Sequence, residues 1–233
     1  LFPGQGSQKA QMGLEIADNF EVAKAVFEEA SSVLPYSVTD ILLEEPAARI
    51  NQTEYTQPLL LTVSHALASV LEQEGITPDV TAGLSLGEYS ALVEAGVLGF
   101  KEALNLVAKR GQYMQEAVVE GEGKMVAVLG LEDNVIEDIC REVSTPESLV
   151  VPSNYNTPGQ LVIGGHADAV EVASGKCLEA GAKKAVPLVV SGPFHTPLME
   201  EAKVRFASEM EAAELHESKC LVLSNTLGTP HEG

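Results

Sequence analysis

The spacing of apolar residues predicts helices that alternate with a short strand over the first half of the chain. A 3.6-residue period over residues 12–33 indicates one amphipathic helix, and a strongly apolar helix begins near Thr56-Gln57-Pro58 and ends at Gly75. A short helix over 38–43, a buried strand over 80–84 and a helix over 100–119 are also predicted. Such alternation is typical of an α/β fold, here a large α/β-hydrolase-like domain with a parallel sheet.

The pattern changes near residue 123. Strands are predicted over 125–129, 149–155, 161–163 and 184–190, and helices over 135–143 and 167–180. Their order, β-α-β-β-α-β, is the ferredoxin-like pattern. We therefore expect an inserted small subdomain over 123–190 and a large domain made of 1–122 and 191–233. A helix over 196–215 and a strand over 221–223 belong to the large domain.

Composition adds constraints on location and partners. The chain has 233 residues, is 45% hydrophobic and can bury a substantial core. Three scattered cysteines argue against a disulfide framework or a zinc site and fit a reducing cytoplasm. We expect no secretory signal, and no apolar run is long enough to cross a bilayer. The net charge of −20 disfavours nucleic acid and anionic membranes as partners.

Candidate chemistry centres on Gly83-Leu84-Ser85-Leu86-Gly87. This G-x-S-x-G motif lies between a predicted strand and a helix, the context of a nucleophile elbow that exposes a serine hydroxyl. Serine acts as a nucleophile only with a base and backbone N–H donors nearby. At a helix start, the N–H of Leu86 would point at the reacting carbonyl. The motif has only three fixed residues, so from it alone catalytic and structural interpretations are equally supported.

Three further motifs accompany the serine: Pro3-Gly4-Gln5-Gly6-Ser7-Gln8, Arg110-Gly111-Gln112-Tyr113-Met114-Gln115 and Gly192-Pro193-Phe194-His195. Taken in this order, the four motifs resemble the acyltransferase family of fatty-acid and polyketide synthesis, which includes the malonyl-CoA:acyl-carrier-protein transacylases. The resemblance runs through essentially the whole chain. It implies transfer of a malonyl group from malonyl-CoA to the phosphopantetheine thiol of acyl carrier protein, by a ping-pong mechanism through a malonyl-serine.

The resemblance also implies a role for each candidate residue. Ser85 would be the nucleophile and His195 the base, while the N–H groups of Gln5 and Leu86 would form the oxyanion hole. Arg110 would bind the malonyl carboxylate, which suits a planar guanidinium. Three further residues would line the substrate site: Asn154, Gln57 and Phe194. No metal is expected, and no cofactor besides the coenzyme A thioester that serves as substrate.

Two features depart from the family. Leu84 stands where the family usually has histidine, and the family continues well beyond Gly233, with a core strand and a glutamine that orients the catalytic histidine. We therefore expect the chain to be C-terminally truncated. The expected partners are malonyl-CoA and acyl carrier protein, bound by a cytoplasmic monomer. Lysines that would dock an acidic carrier are Lys109, Lys124, Lys176, Lys183 and Lys184.

Two other functions stay open. A serine esterase or thioesterase of α/β-hydrolase type would also place serine before histidine in the chain. That interpretation leaves Arg110 and the Gly4-Gln5-Gly6 loop without a role. A non-catalytic module that binds coenzyme A or carrier protein would not require Ser85, His195 and Arg110 together. Covalent labelling of Ser85 by malonyl-CoA would separate the binding module from an enzyme.

Overall fold

The protein is described here from a computed structural model, which covers residues 1–119 and 121–231. It divides into two compact units, one of Leu1–Gln112 and Phe206–Gly233, the other of Tyr113–Arg205. The domain bounds expected from the sequence, 1–122 with 191–233 and 123–190, stay a prediction. The last of these bounds, Gly233, lies outside the described residues.

The first unit is mainly helical and packs around a large apolar core, with a smaller apolar cluster beside its parallel strands. The core includes fully buried Ile41, Leu59, Leu61 and Leu104. The boundaries between the units fall within two helices, α6 (Phe100–Glu116) and α9 (Glu200–Glu211). The helices that contribute are α1 (Leu14–Asn19), α2 (Glu21–Val33), α3 (Val38–Leu42), α4 (Thr53–Gln73), α5 (Gly87–Glu94), α6 (Phe100–Glu116) and α9 (Glu200–Glu211), with a 3₁₀ turn at Arg49–Asn51.

A short parallel sheet positions the serine motif in this unit. Strand β1 (Val80–Ala82) pairs in parallel with β6 (Leu221–Leu223), and Ala82 lies opposite Leu223. Phe2 adds a parallel bridge to Gly83. Because parallel neighbours end at the same edge of a sheet, the residues that follow β1 and β6 are adjacent.

The second unit contains a four-stranded antiparallel sheet with two helices. Its elements in chain order are β2 (Gly123–Leu129), α7 (Asp133–Val143), β3 (Val150–Thr157), β4 (Gln160–His166), α8 (Ala167–Glu179) and β5 (Lys184–Pro187). The strand order is β3-β4-β2-β5. Apolar residues of α7 and α8 pack on one face of the sheet around Val128, Ile136 and Leu161. The mixed α/β class predicted from the sequence is confirmed.

Three predicted helices differ from the observed ones. The single helix predicted over 12–33 is wrong, because Phe20 is extended (φ −130°, ψ 116°) and separates α1 from α2. Helix α4 begins at Thr53 and contains Pro58 beyond its first turn, so the helix continues there without the N–H that would donate to the carbonyl of Glu54. The helix predicted over 196–215 consists of a 3₁₀ turn at Pro197–Met199 followed by α9.

Candidate active site

The candidate nucleophile lies on a sharp turn between β1 and α5. Ser85 has φ +49°, a left-handed conformation that costs about 1–3 kcal/mol for a residue other than glycine. The crossing backbones leave no room for side chains on either flank. A Cβ on Gly83 would lie 1.9 Å from the carbonyl carbon of Gly87, and a Cβ on Gly87 would lie 2.3 Å from the carbonyl oxygen of Phe2. The strand-turn-helix geometry expected of a nucleophile elbow is therefore present.

Arg110 is the cation that faces Ser85. Its Nη2 donates to Ser85 Oγ at 3.1 Å, and its Nη1 donates to Gln57 Oε1 at 2.7 Å. Glycine at position 111 allows α6 to approach α4 this closely, because a Cβ there would lie 2.7 Å from the carbonyl oxygen of Thr53. The structure thus brings together three of the predicted site residues, Ser85, Arg110 and Gln57.

The described surroundings of Arg110 are polar and contain no ion-pair partner. In the described part of the chain, no carboxylate oxygen lies within 4.0 Å of its guanidinium; the Tyr89 ring centroid lies 5.6 Å from its Cζ. Burial lowers the pKa of Arg110 from its ordinary value. An arginine nevertheless stays protonated at neutral pH. A shielded positive charge beside the candidate nucleophile is suited to an anionic substrate group.

The predicted oxyanion donors also lie in the first unit. Within residues 1–119 and 121–231, neither the N–H of Leu86 nor that of Gln5 has a hydrogen-bond partner. The Leu86 side chain is 1% exposed and anchors the start of α5 in the core. Gln5 Nε2 donates to Thr53 Oγ1 at 2.6 Å, which ties the glycine-rich loop to the start of α4. Both N–H groups are therefore available to a reacting oxygen.

The predicted base lies in the second unit, on the loop after β5. His195 has φ +59° and an exposed side chain, while both of its neighbours are buried. Phe194 packs with Met125 and other core residues, and Thr196 Oγ1 donates to the carbonyl of Pro193 at 2.7 Å. Buried residues on both sides thus fix the backbone at His195. Asn154, on β3, accepts a hydrogen bond from Ser153 Oγ at 3.1 Å in the same unit.

Two residues that contact the elbow were not among the predicted site residues. Asn225 Oδ1 accepts a hydrogen bond from the N–H of Ser85, and Glu88 Oε1 accepts one from the N–H of Asn225. Glu88 was visible in the sequence only as an acid in the first turn of a helix. Asn225 carried no local signal, because it is 140 positions from Ser85. The pairing of β1 with β6 is what makes them neighbours.

Residues 1–119 and 121–231 contain no group of three or more His, Cys, Asp or Glu side chains arranged to hold a metal ion. Likewise, none of the helices within these ranges is long and apolar enough to cross a bilayer.

Comparison with known proteins identifies close relatives. The acyl transferase domain family matches residues 1–233. The chain is 45% identical over 225 residues to the malonyl CoA-acyl carrier protein transacylase of Bacillus subtilis, covering 97% of this chain and 71% of that protein. The structure of the Coxiella burnetii malonyl CoA-acyl carrier protein transacylase superposes with a TM-score of 0.96 at 42% identity, covering 100% of this chain and 73% of that one. A malonyl-transacylase solved in complex with its type II PKS acyl-carrier protein gives 0.95 at 43% identity, with 100% and 75% covered.

Proposed function

Because this chain belongs to the acyl transferase domain family, we propose that it is an acyl-carrier-protein S-malonyltransferase of fatty-acid synthesis. In the proposed reaction, Ser85 Oγ attacks the thioester carbonyl of malonyl-CoA, and coenzyme A leaves as the thiol. The phosphopantetheine thiol of acyl carrier protein then attacks the malonyl-serine and regenerates the hydroxyl. A covalent intermediate of this kind makes the kinetics ping-pong.

The hydrogen bond between Arg110 and Ser85 carries this proposal. In a malonyl group, a single methylene separates the reacting carbonyl from the carboxylate. An acyl group attached to Ser85 Oγ therefore has its carboxylate within a few bonds of the atom that Arg110 Nη2 already reaches at 3.1 Å. A guanidinium can bind such a carboxylate through two parallel hydrogen bonds. Acetyl groups lack this anion and gain nothing from Arg110.

The remaining roles rest on the family resemblance together with local geometry. His195 takes the proton from Ser85 and later from the carrier thiol, and its exposure between two buried residues supports this role. The N–H groups of Gln5 and Leu86 stabilise the oxyanion, which their lack of partners within the described ranges supports. Gln57, Asn154 and Phe194 line the substrate site. No metal or cofactor takes part besides the thioester substrate.

The proposed domain organisation, compartment and oligomeric state follow from the sequence. The large α/β-hydrolase-like domain comprises 1–122 and 191–233, and a ferredoxin-like subdomain of 123–190 is inserted in it. A cytoplasmic monomer is proposed, and the three free thiols support a reducing compartment.

Three of the candidate docking lysines, Lys109, Lys124 and Lys176, form surface ion pairs. Such exposed pairs contribute about 0–1 kcal/mol, so an acidic carrier protein can compete for them.

The alternative, a serine esterase or thioesterase, predicts a different fate for the acyl group. We would incubate the protein with malonyl-CoA, follow its intact mass, and then add carrier protein. A transferase gains one malonyl group on Ser85, and this ester resists hydrolysis until the carrier thiol accepts the malonyl group. A hydrolase releases malonate without carrier protein. Ser85→Ala should not load, His195→Ala should load very slowly, and the surface control Ser32→Ala should load normally. Loading of Ser85→Ala at the parent rate would refute the mechanism.

A further inference from the structure

The elbow is held from outside by a residue of the neighbouring strand. Ala82 lies opposite Leu223 in the β1–β6 pair, so the turn after β1 and the loop after β6 leave the sheet side by side. In this position Asn225 Oδ1 accepts a hydrogen bond from the N–H of Ser85 at 2.5 Å. The contact joins the backbone of the proposed nucleophile to a side chain that takes no direct part in the reaction.

Asn225 is itself fixed by the helix that follows the serine. Its N–H donates to Glu88 Oε1 at 2.9 Å, and the same oxygen lies 3.0 Å from Nε2 of His231. Glu88 is in the first turn of α5, where a carboxylate is favoured by the helix dipole. The closed path from Ser85 through Asn225 and Glu88 back to α5 constrains the turn at both ends.

This contact also determines which backbone donors of the turn are available. The N–H of Gly87 donates to the carbonyl of Leu84 at 2.8 Å, and the N–H of Glu88 donates to the carbonyl of Ser85 at 3.2 Å. With the N–H of Ser85 bonded to Asn225, the N–H of Leu86 is the one donor at positions 85–88 without a partner among the described residues. The turn thus presents a single donor to a reacting oxygen.

We propose that Asn225 is a positioning residue for the nucleophile: its Oδ1 holds the Ser85 backbone in the left-handed conformation that presents Oγ. Ser85 has φ +49°, which is costly for serine. Removal of the acceptor leaves the Ser85 N–H without its partner and lets the turn relax toward ordinary φ values. The Oγ then spends less time in the reactive position, while the Arg110 contacts that recognise the substrate anion stay in place. This inference rests on the proposed acyl transfer through Ser85.

Two substitutions of nearly equal size test the role of the acceptor oxygen. Asn225→Leu removes it, and Asn225→Asp keeps it, while Thr226→Ala in the same exposed loop serves as the control. For each variant, the single-turnover rate of malonyl loading, the KM for malonyl-CoA and the melting temperature are measured. We expect Asn225→Leu to lower the loading rate about tenfold with KM changed by less than about twofold, the pattern of a lost transition-state effect. Asn225→Asp should stay within about threefold of the parent, and both melting temperatures should match that of Thr226→Ala.

A second readout separates this inference from the proposed function. The amide proton of Ser85, followed by NMR without any substrate, should shift upfield in Asn225→Leu and stay near its parent position in Asn225→Asp. If the parent fails to load malonyl, the proposed function fails and the amide shift still tests the Asn225 contact. An unchanged Ser85 shift or an unchanged loading rate in Asn225→Leu would overturn the positioning role. Equal loss in the Leu and Asp variants, or a loss that follows the melting temperature, would overturn it as well.

Discussion

Gln57 Oε1 accepts a hydrogen bond from Arg110 Nη1 at 2.7 Å, and the Gln57 side chain is completely buried. A neutral amide at this position orients the guanidinium without neutralising it. The charge of Arg110 therefore stays available for a substrate anion. A carboxylate in the same place would compete with that anion for the same donors.

The Gln57→Glu variant tests this relationship. The new carboxylate should pair with Arg110, so the KM for malonyl-CoA should rise about tenfold or more, equivalent to about 1.4 kcal/mol of lost binding. Gln73→Glu adds the same charge at the exposed end of the same helix and should leave KM unchanged. Steady-state transfer of malonyl to carrier protein measures the KM for malonyl-CoA of each variant. Equal KM values in the two variants would contradict a direct role of Gln57.

Arg110→Ala should change substrate preference rather than abolish chemistry. Malonyl transfer should fall about 100-fold, since a charge-assisted pair in a shielded site contributes about 1.5–3 kcal/mol. Acetyl transfer should stay constant or increase, because acetyl never used the guanidinium. The control is Arg141→Ala, which removes an exposed arginine of α7. Rates with malonyl-CoA and acetyl-CoA give the ratio for each protein, and a ratio equal to that of the control would return Arg110 to a structural role.

The glycines of the elbow should tolerate no substitution. Gly83→Ala places a Cβ 1.9 Å from the Gly87 backbone, so we expect a loss of at least about 2 kcal/mol in the free energy of unfolding, together with the loss of loading. Gly175→Ala is the matched control, because Gly175 is exposed on α8 and a Cβ there would meet nothing within 4 Å. It should stabilise the protein by about 0.5–1 kcal/mol. Urea unfolding of both variants is the measurement, and a stable, active Gly83→Ala protein would exclude the tight crossing.

The three thiols should differ in reactivity. Burial raises the pKa of Cys140 to about 12 and also raises the pKa of Cys177, whereas Cys220 is only partly buried. Because the thiolate is the reactive form, a pKa near 12 lowers the reactive fraction of Cys140 at pH 8 by about three orders of magnitude. Iodoacetamide should therefore modify Cys220 first. Peptide mass mapping before and after denaturation checks the order, and early modification of Cys140 would contradict it.

The same shift has a consequence for alkaline stability. The fold favours the protonated thiol of Cys140, so this contribution to stability is complete below the pKa of an unfolded cysteine. It is lost as the pH rises through about 12. Cys140→Ala should consequently show a shallower decline in the free energy of unfolding between pH 9 and pH 11 than the parent, after allowance for its lower starting value.

The elbow was predictable because its requirements are local. Two glycines around a serine, after an apolar strand and before a helix, specify the backbone crossing within five residues. The antiparallel strands of the second unit lie within a few residues of their predicted bounds for the same reason, since Pro158-Gly159 supplies the turn between β3 and β4.

What the sequence did not indicate depends on contacts between distant residues. The apolar period over 12–33 continues through Phe20, so nothing local marks the break between α1 and α2. Asn225 reads as an ordinary loop asparagine until β6 pairs with β1. Gln57 was assigned to the site by resemblance, but its link to Arg110 depends on the close approach of α6 to α4 at Gly111. Side-chain patterns record which face is buried, not which distant group it meets.

Because Arg110 has no ion-pair partner among the described residues, the folded protein should be less stable without a bound anion than with one. Enclosing a guanidinium among neutral groups costs free energy, and a bound carboxylate offsets this cost. Binding of an anion at Arg110 should therefore increase the free energy of unfolding of the native protein. A ligand that binds only the native state raises the free energy of unfolding by about 2.7 kcal/mol at a hundred times its Kd. The melting temperature in dicarboxylate buffers is therefore a gauge of site occupancy that needs neither coenzyme A nor turnover. Malonate should raise it above the value in acetate at equal ionic strength, and Arg110→Ala should remove the difference.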